Sequence, residues 1–217
     1  MRSIYIVGGF GYQHYLNWIL PLGFEITTDR KEADVAFFAG GEDVHPSLYG
    51  QKPNDYVFCN QSRDLEEAKA FEFFRNKPKI GVCRGSQIIC ALNGGKIVQH
   101  MSHPNSHILS TNTGEEIISP SGHHNQMLLD EGITGLKEEA DYELIGWTNK
   151  LSPFHLGENN VDYNFPDNYR EPEIVWFPKS NAWVSQGHVE NYYPPRSEKQ
   201  EKYVEFCQKS LLDHIGY

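Results

Sequence analysis

The sequence contains a cysteine in a setting typical of a nucleophile. Residues 81–85 read G-V-C-R-G, and they lie between a predicted strand and a predicted helix. Such a turn strains the central residue and requires small neighbours two positions away on either side. It places the sulfur of Cys83 at the positive end of the next helix, which favours the thiolate, and the Arg84 amide points to where an oxyanion would form. An isolated G-x-C-x-G fits a buried structural cysteine beside a plain turn equally well, but the flanking strand and helix favour a nucleophile.

A thiol nucleophile needs a base, and the base needs a partner that orients it. Residues 186–190, Q-G-H-V-E, supply both directly after a predicted strand. On an extended backbone, residues two apart face the same side, so we expect the Glu190 carboxylate to orient the His188 imidazole. The H-x-E pattern is weak alone, because the chain has 10 histidines.

Short apolar runs that end in glycine or turn residues predict the strands that position these segments. The predicted strands cover residues 4–7, 35–39, 79–82, 97–98, 116–118, 143–145, 174–177 and 182–184. Residues 149–172 show no clear period and predict a long surface loop.

Helical spacing of apolar residues predicts the other elements. The first clear helix is predicted over residues 62–76, with one face formed by Leu65, Ala68, Phe71 and Phe74. A second begins at Ser86 and runs to Leu92. The last opens at Ser197 with Gln200 as a capping box, and its buried side is predicted to be Tyr203, Cys207 and Leu211.

Alternating strands and helices predict a mostly parallel sheet covered on both faces, with chemistry at the carboxyl ends of its strands. We expect a single domain over residues 1–217, since no repeat or linker divides the chain. The formal net charge of -10, from 19 basic and 29 acidic residues, argues against nucleic acid as a ligand. No membrane-spanning or signal segment is expected, and the four cysteines form no C-x-x-C pair, so we expect a reduced, cytoplasmic protein.

Six segments, in this order and spacing, resemble one known family from about residue 34 to residue 190. They are residues 40–49 (G-G-E-D-V-H-P-S-L-Y), 63–67 (R-D-L-E-E), 81–87 (G-V-C-R-G-S-Q), 92–99 (L-N-G-G-K-I-V-Q), 121–124 (S-G-H-H) and 186–190 (Q-G-H-V-E). Together they are similar to the γ-glutamyl hydrolase-like, peptidase C26 branch of the class I glutamine amidotransferase superfamily. Gly187 and Val189 depart from that pattern, which has an aromatic residue and a proline there, and they predict an altered rigidity of the histidine's loop.

The resemblance implies a flavodoxin-like α/β three-layer sandwich with a C-terminal antiparallel hairpin. It implies a triad of Cys83, His188 and Glu190 and an oxyanion hole made by the amides of Gly41 and Arg84. It also implies substrate contacts from Gly40, Gln87, His123 and His124. The implied reaction is attack of Cys83 on the γ-carbonyl of glutamine or a γ-glutamyl amide, release of an amine or ammonia, and hydrolysis of the glutamyl thioester.

No cofactor and no metal are expected. His100, His103 and His107, or His123 and His124, are ligands of the type that zinc prefers. The sequence shows no cysteine or carboxylate that completes a credible ligand set with them.

Two other functions fit the same residues. The chain could be a glutaminase subunit that passes ammonia to a separate synthetase partner, since no ATP-binding or acceptor segment is recognisable in it. A catalytically inactive binding module on the same fold is the third reading, and the intact Cys83, His188 and Glu190 argue against it. Residues 8–11, G-G-F-G, replace the family's usual opening motif at an edge of the pocket, and residues 192–195, Y-Y-P-P, predict a packed loop.

Overall fold

The computed structural model describes residues 2–8, 13–191 and 196–216. Residues 9–11 of the G-G-F-G segment and residues 192–195 lie outside this part of the chain. The elements within it are β1 (Arg2–Val7), α1 (Gln13–Ile19), β2 (Phe24–Ile26), β3 (Val35–Phe38), α2 (Gln61–Phe73), β4 (Lys79–Val82), α3 (Arg84–Leu92), β5 (Lys96–Val98), β6 (His100–Met101), β7 (His107–Thr111), β8 (Glu116–Ser119), β9 (Gln126–Leu128), α4 (Glu131–Thr134), β10 (Glu143–Asn149), β11 (His155–Leu156), β12 (Arg170–Phe177), β13 (Ala182–Ser185) and α5 (Glu198–Ile215).

A mixed sheet joins nine of the described strands in the order β2-β1-β3-β4-β13-β12-β10-β7-β8. Each pairing from β2 to β13 is parallel, and each pairing from β13 to β8 is antiparallel. The predicted α/β architecture is confirmed, including the antiparallel hairpin of β12 and β13. In this order β4 and β13 are neighbours, with Val82 opposite Ser185, so the two segments with predicted chemistry leave the sheet side by side.

Helices cover both faces of the sheet and divide the core in two. On β3, Val35 and Phe37 point into a core shared with α1 and α5, whereas Ala36 and Phe38 point into a core shared with α3. This two-sided burial is typical of parallel strands between helical layers. The result is the three-layer sandwich that the sequence predicts.

The predicted face of α2 is confirmed in part. Phe74 is buried and Phe71 packs against the core, but Leu65 is 58% exposed, whereas Asp64 and Glu67 are buried. The reason is electrostatic, because both carboxylates form ion pairs with the buried guanidinium of Arg84 at the start of α3. In the first turns of the helix, these carboxylates therefore face inward in place of Leu65.

Residues 149–172 are more structured than the predicted surface loop. Their strand β11 pairs with β6, and Phe165 completes a small third core with Val98, Met101 and Leu128. The Phe165 ring stacks on Tyr169 with centroids 3.8 Å apart. These contacts depend on isolated aromatic residues, which carry no periodic signal.

The last helix has the predicted start and buried side. Ser197 Oγ accepts the Gln200 amide proton at 3.3 Å, and Gln200 Oε1 accepts that of Ser197 at 2.9 Å. Tyr203, Cys207 and Leu211 are buried. Over the described residues, no helix has the length and apolar character needed to cross a membrane.

Candidate active site

Cys83 occupies a tight turn between β4 and α3. Its φ of 54° and ψ of -114° are strained for a residue with a side chain, and its amide donates to the Ser185 carbonyl at 2.8 Å. A Cβ added at Gly81 would lie 2.6 Å from the Gly85 carbonyl oxygen, and one added at Gly85 would collide with the Phe38 carbonyl. Only glycine fits at both positions, which is the steric requirement that the G-x-C-x-G spacing predicts.

His188 lies beside Cys83 and contacts Glu190 on its other side. His188 Nδ1 is 2.6 Å from Glu190 Oε1, and the imidazole also forms a hydrogen bond with the Cys83 side chain. The Glu190 side chain is 3% exposed. The expectation of an extended backbone is wrong, since Val189–Asn191 form a short 3-10 turn. The pair nevertheless forms, because this turn directs the two side chains toward each other.

The surroundings of His188 change its protonation. Burial alone would lower the pKa of His188, but the hydrogen bonds to Cys83 and Glu190 and the negative charge of both partners raise it to about 10. The imidazole is therefore protonated at neutral pH. An imidazolium beside a thiol favours the thiolate form of the sulfur.

The Gly40–Gly41 loop after β3 packs against both side chains. A Cβ added at Gly40 would lie 3.3 Å from His188 Cε1 and 3.5 Å from Cys83 Cβ. Gly41 has a φ of 147°, which favours glycine. Within residues 2–8, 13–191 and 196–216, neither the Gly41 amide nor the Arg84 amide has an acceptor.

Tyr15 of α1 belongs to the site and was missed in the sequence. Its hydroxyl accepts the Gly40 amide proton at 2.9 Å. Burial and the neighbouring Glu190 carboxylate raise the pKa of Tyr15, so the phenol stays neutral. The spacing of Tyr15 and Trp18 indicates one buried helix face, but no local pattern indicates what a tyrosine hydroxyl contacts.

A network of buried ion pairs connects the cysteine turn with the Gly40–Gly41 loop. Arg84 pairs with Asp64 at 2.5 Å and also with Glu67, and all three side chains are almost fully buried. Arg63 pairs with Glu67 at 2.8 Å and donates to the Gly40 carbonyl at 2.9 Å. The R-D-x-x-E segment thus connects the cysteine turn to the glycine loop.

The two departures from the family pattern have a structural reason. A side chain at Gly187 would collide with the Tyr203 hydroxyl, and its Cβ would lie 3.4 Å from that of Ser121. The Val189 amide donates to the Gly187 carbonyl at 3.2 Å, a bond that a proline could not form. The His188 amide donates to Ser121 Oγ at 3.2 Å, so the loop is fixed by hydrogen bonds in place of a proline.

The predicted substrate-contacting side chains form a chain of polar contacts. Gln87 is buried and its Nε2 donates to Asn125 Oδ1 at 2.6 Å, while Asn125 in turn donates to Asp43. His124 Nε2 lies 3.2 Å from Asp43 Oδ1, and this hydrogen bond raises the pKa of His124. Substrate contact by Gln87 and His124 stays a prediction.

His123 lies elsewhere, in a buried group with His103 and Glu173. These are the side chains among the described residues that have the composition and spacing of a metal site. The premise that no carboxylate completes a ligand set is therefore wrong, because Glu173 arrives from β12. His100 stacks on Tyr56 with ring centroids 3.9 Å apart and belongs to no such group.

A separate surface cavity of about 760 Å³ lies between β8 and α5 and is lined by Glu116, Phe206 and His214 among others. Cys83, His188 and Glu190 do not line it.

The chain resembles known proteins over the part that carries the cysteine turn. The family model for peptidase C26 matches residues 25–134, which is just over half of the 217 residues. The chain belongs to the peptidase C26 family. The match includes the glycine loop, the cysteine turn and the S-G-H-H segment.

A curated relative of this peptidase C26 chain is the "Putative glutamine amidotransferase-like protein YvdE" of Lactococcus lactis, 37% identical over 89 residues. The match covers 39% of the chain and 38% of that relative, so it spans well under half of the relative's length.

Solved structures share the fold at low identity. A "putative gmp synthase subunit a protein" from Thermoplasma acidophilum has a TM-score of 0.60 and 15% identity, covering 100% of this chain and 94% of that one. A glutamine amidotransferase from Thermotoga maritima has a TM-score of 0.51 and 11% identity, covering 98% of this chain and 84% of that one. At these identities the likeness concerns the fold.

Proposed function

We propose that this peptidase C26 chain hydrolyses a γ-glutamyl amide through a cysteinyl thioester. The observation that carries the proposal is the contact of His188 with Cys83 on one side and with the buried Glu190 carboxylate, at 2.6 Å, on the other. This is the arrangement of nucleophile, base and orienting acid that acyl transfer requires. The G-x-C-x-G turn and the family match support the same reaction.

In the first half-reaction, the Cys83 thiolate attacks the γ-carbonyl carbon. The oxyanion is stabilised by the amides of Gly41 and Arg84, which have no acceptor in the described structure. The C–N bond then breaks, and His188 donates its proton to the leaving amine or ammonia. The products of this step are the glutamyl thioester and the free amine.

In the second half-reaction, neutral His188 removes a proton from water, and the hydroxide attacks the thioester carbonyl. The C–S bond breaks, free glutamate leaves, and the thiolate and imidazolium are restored. Glu190 holds the imidazole ring through Nδ1 in both steps. Tyr15 and the ion network of Arg63, Arg84 and Glu67 act as positioning residues, since they fix the backbone of the glycine loop and the turn.

The first test measures glutamate release from glutamine and from a panel of γ-glutamyl amines. We expect turnover in the wild type and a loss of roughly 10³-fold or more in Cys83→Ala. The matched control is Cys59→Ser, which changes a partly exposed cysteine outside the turn. Activity that survives Cys83→Ala would refute the mechanism.

A second measurement traps the intermediate. Hydroxylamine intercepts a glutamyl thioester to give the γ-glutamyl hydroxamate, and we expect this product in the wild type but not in Cys83→Ala. Slow glutamine turnover alone would instead support a subunit that delivers ammonia to a synthetase. A folded protein with no turnover on any amide would support an inactive binding module.

A further inference from the structure

A cluster of five buried side chains lies outside the group formed by Cys83, His188 and Glu190. The side chains are at most 5% exposed, and they are His103, His107, His123, Glu171 and Glu173. They come from four parts of the chain, namely the β6–β7 connection, strand β7, the β8–β9 connection and strand β12. Burying this many ionisable groups lowers the stability of the fold unless the groups are paired or bind a metal.

Glu171 forms a hydrogen bond with the His155 side chain, but most polar atoms of the other four groups have no such partner. Both ring nitrogens of His103, both of His123 and both carboxylate oxygens of Glu173 lack a hydrogen-bond partner in the described structure. A native protein keeps few such buried polar atoms, and each one requires an explanation. An ion between them would bind one ring nitrogen of each histidine and a carboxylate oxygen of Glu173.

The distances fit a metal better than hydrogen bonds. The Nε2 atoms of His103, His107 and His123 each lie 3.5 Å from the same atom, Glu173 Oε1. Good hydrogen bonds between nitrogen and oxygen measure about 2.7–3.2 Å. In a tetrahedral zinc site with bonds of about 2.0–2.1 Å, two ligand atoms lie about 3.3–3.4 Å apart.

The chemistry of the donors agrees with the geometry. Two carboxylates face the site, Glu173 directly and Glu171 through Oε2 at 3.3 Å from His103 Nε2. A divalent cation would balance these two negative charges. Imidazole nitrogen with carboxylate oxygen is a common zinc ligand set.

We propose that His103, His123 and Glu173 bind a zinc ion, with His107 and Glu171 bordering the site. Glu171 is itself held in place, because its Oε1 contacts His155 Nε2 at 2.7 Å and accepts the Leu151 amide proton at 3.1 Å. Protein metal sites typically have a residue such as Glu171, which does not bind the metal itself but orients the residues that do.

The site would stabilise the segment that carries the catalytic histidine. The Glu173 carbonyl accepts the Gln186 amide proton at 2.7 Å, and Ser121, two residues before His123, accepts that of His188 at 3.2 Å. An ion bound to Glu173 and His123 would thus connect the strand and the loop on either side of residues 186–188. Its role is structural and does not depend on the hydrolytic function proposed above.

The test uses untagged full-length protein, stripped with a chelator and then given zinc. We expect one zinc per chain after desalting, measured by elemental analysis, and a melting temperature higher by about 5–10 °C at a zinc concentration 100 times the Kd. Cobalt in place of zinc should give the visible absorption of a tetrahedral site. None of these readouts involves turnover.

The variants are Glu173→Gln, which keeps the side chain's size, and His123→Asn, which replaces the ring by a smaller polar side chain. Both variants should lose the stoichiometric zinc and the rise in melting temperature. The control is His214→Gln, which changes a histidine of α5 that contacts Glu143, and it should keep both. The wild-type binding ratio and melting shift remain decisive if a variant fails to fold. A wild type that binds no zinc, or a Glu173→Gln variant that binds it as the wild type does, would overturn the proposal.

Discussion

The imidazole of His188 lies between the Glu190 carboxylate and the Cys83 sulfur, and these two neighbours decide its charge. Their hydrogen bonds and negative charge outweigh the effect of burial and raise the pKa of His188 to about 10. An unfolded histidine has a pKa of about 6.5. At the scale of single residues, the site is therefore an electrostatic arrangement that folding creates.

Glu190→Gln keeps the size of the side chain and removes its charge, so the pKa of His188 should fall by roughly 1–3 pH units. An NMR titration of the His188 ring measures this value. The control is Glu205→Gln, which removes an exposed carboxylate on α5 and should leave the pKa unchanged. An unchanged pKa in Glu190→Gln would show that Glu190 does not determine the charge of His188.

The same change has a predictable effect on stability. Because folding raises the pKa of His188, its stabilisation is complete below about pH 6.5 and is lost as the pH rises through about 10. The free energy of unfolding of the wild type should exceed that of Glu190→Gln most below pH 6.5, and the difference should shrink toward pH 10. Urea unfolding at several pH values measures it, and a difference that grows with pH would contradict this assignment.

At the scale of elements, the turn between β4 and α3 depends on two glycines, and the start of α3 depends on α2. Gly85 lies against the backbone of β3, where a Cβ would meet the Phe38 carbonyl. Arg84, one residue earlier, is buried between the Asp64 and Glu67 carboxylates of α2. Both contacts fix the orientation of Cys83.

Gly85→Ala should lower the free energy of unfolding by about 1–3 kcal/mol or more, because the new methyl group forces two backbone segments apart. The control Gly132→Ala in α4 meets only the Asp130 side chain, at 3.2 Å, and should change stability little. Urea unfolding of the two variants gives the comparison. Equal stabilities would mean that the turn can relax at no cost.

Arg84→Met should cost about 3–5 kcal/mol of unfolding free energy, because two carboxylates stay buried with one partner removed. Arg75→Met provides the matched control, since Arg75 pairs with Glu72 on the exposed surface of the same region and should change stability by less than about 0.5 kcal/mol. A small loss of unfolding free energy in Arg84→Met would show that Arg63 alone compensates the charges of Asp64 and Glu67.

Features that depend on neighbouring residues could be predicted from the sequence. Features that depend on contacts with residues far away in the chain could not. The glycine spacing around Cys83 and the capping box at Ser197 act within a few residues, so they could be recognised. The exposure of Leu65 on α2 could not be recognised, because the inward-facing Asp64 and Glu67 pair with Arg84 of another helix. Glu173 was not recognised as a neighbour of His103 and His123, because it lies on β12, 50 residues after His123 and 70 after His103 along the chain.

At the scale of the whole molecule, we propose that residues 1–217 form one cooperative domain. The described sheet continues without interruption from β2 to β8, and β13 joins its parallel half to its antiparallel half. Trp183 on β13 and Trp18 on α1 share one core, while Trp147 packs at the edge of the other. Both cores pack against this one sheet.

Chemical unfolding should therefore show a single transition. Tryptophan fluorescence, near-ultraviolet and far-ultraviolet circular dichroism should give the same midpoint, since the probes lie on both sides of the sheet. Trp147→Phe removes a probe on β10 in the antiparallel half, where Trp176 on β12 also lies, and should leave the midpoint by fluorescence close to that by circular dichroism. Two separate midpoints would divide the chain into two domains.

The position of β13 has a consequence for the chain during its synthesis. Cys83 and His188 are 105 residues apart, and β13, which pairs with β4, follows the other antiparallel strands of the sheet along the chain. A ribosome adds about 5–20 residues per second, so Cys83 is made roughly 5–20 seconds before His188. Throughout that interval the nascent chain carries the proposed nucleophile without its proposed base, and the two can meet only after β13 has been made.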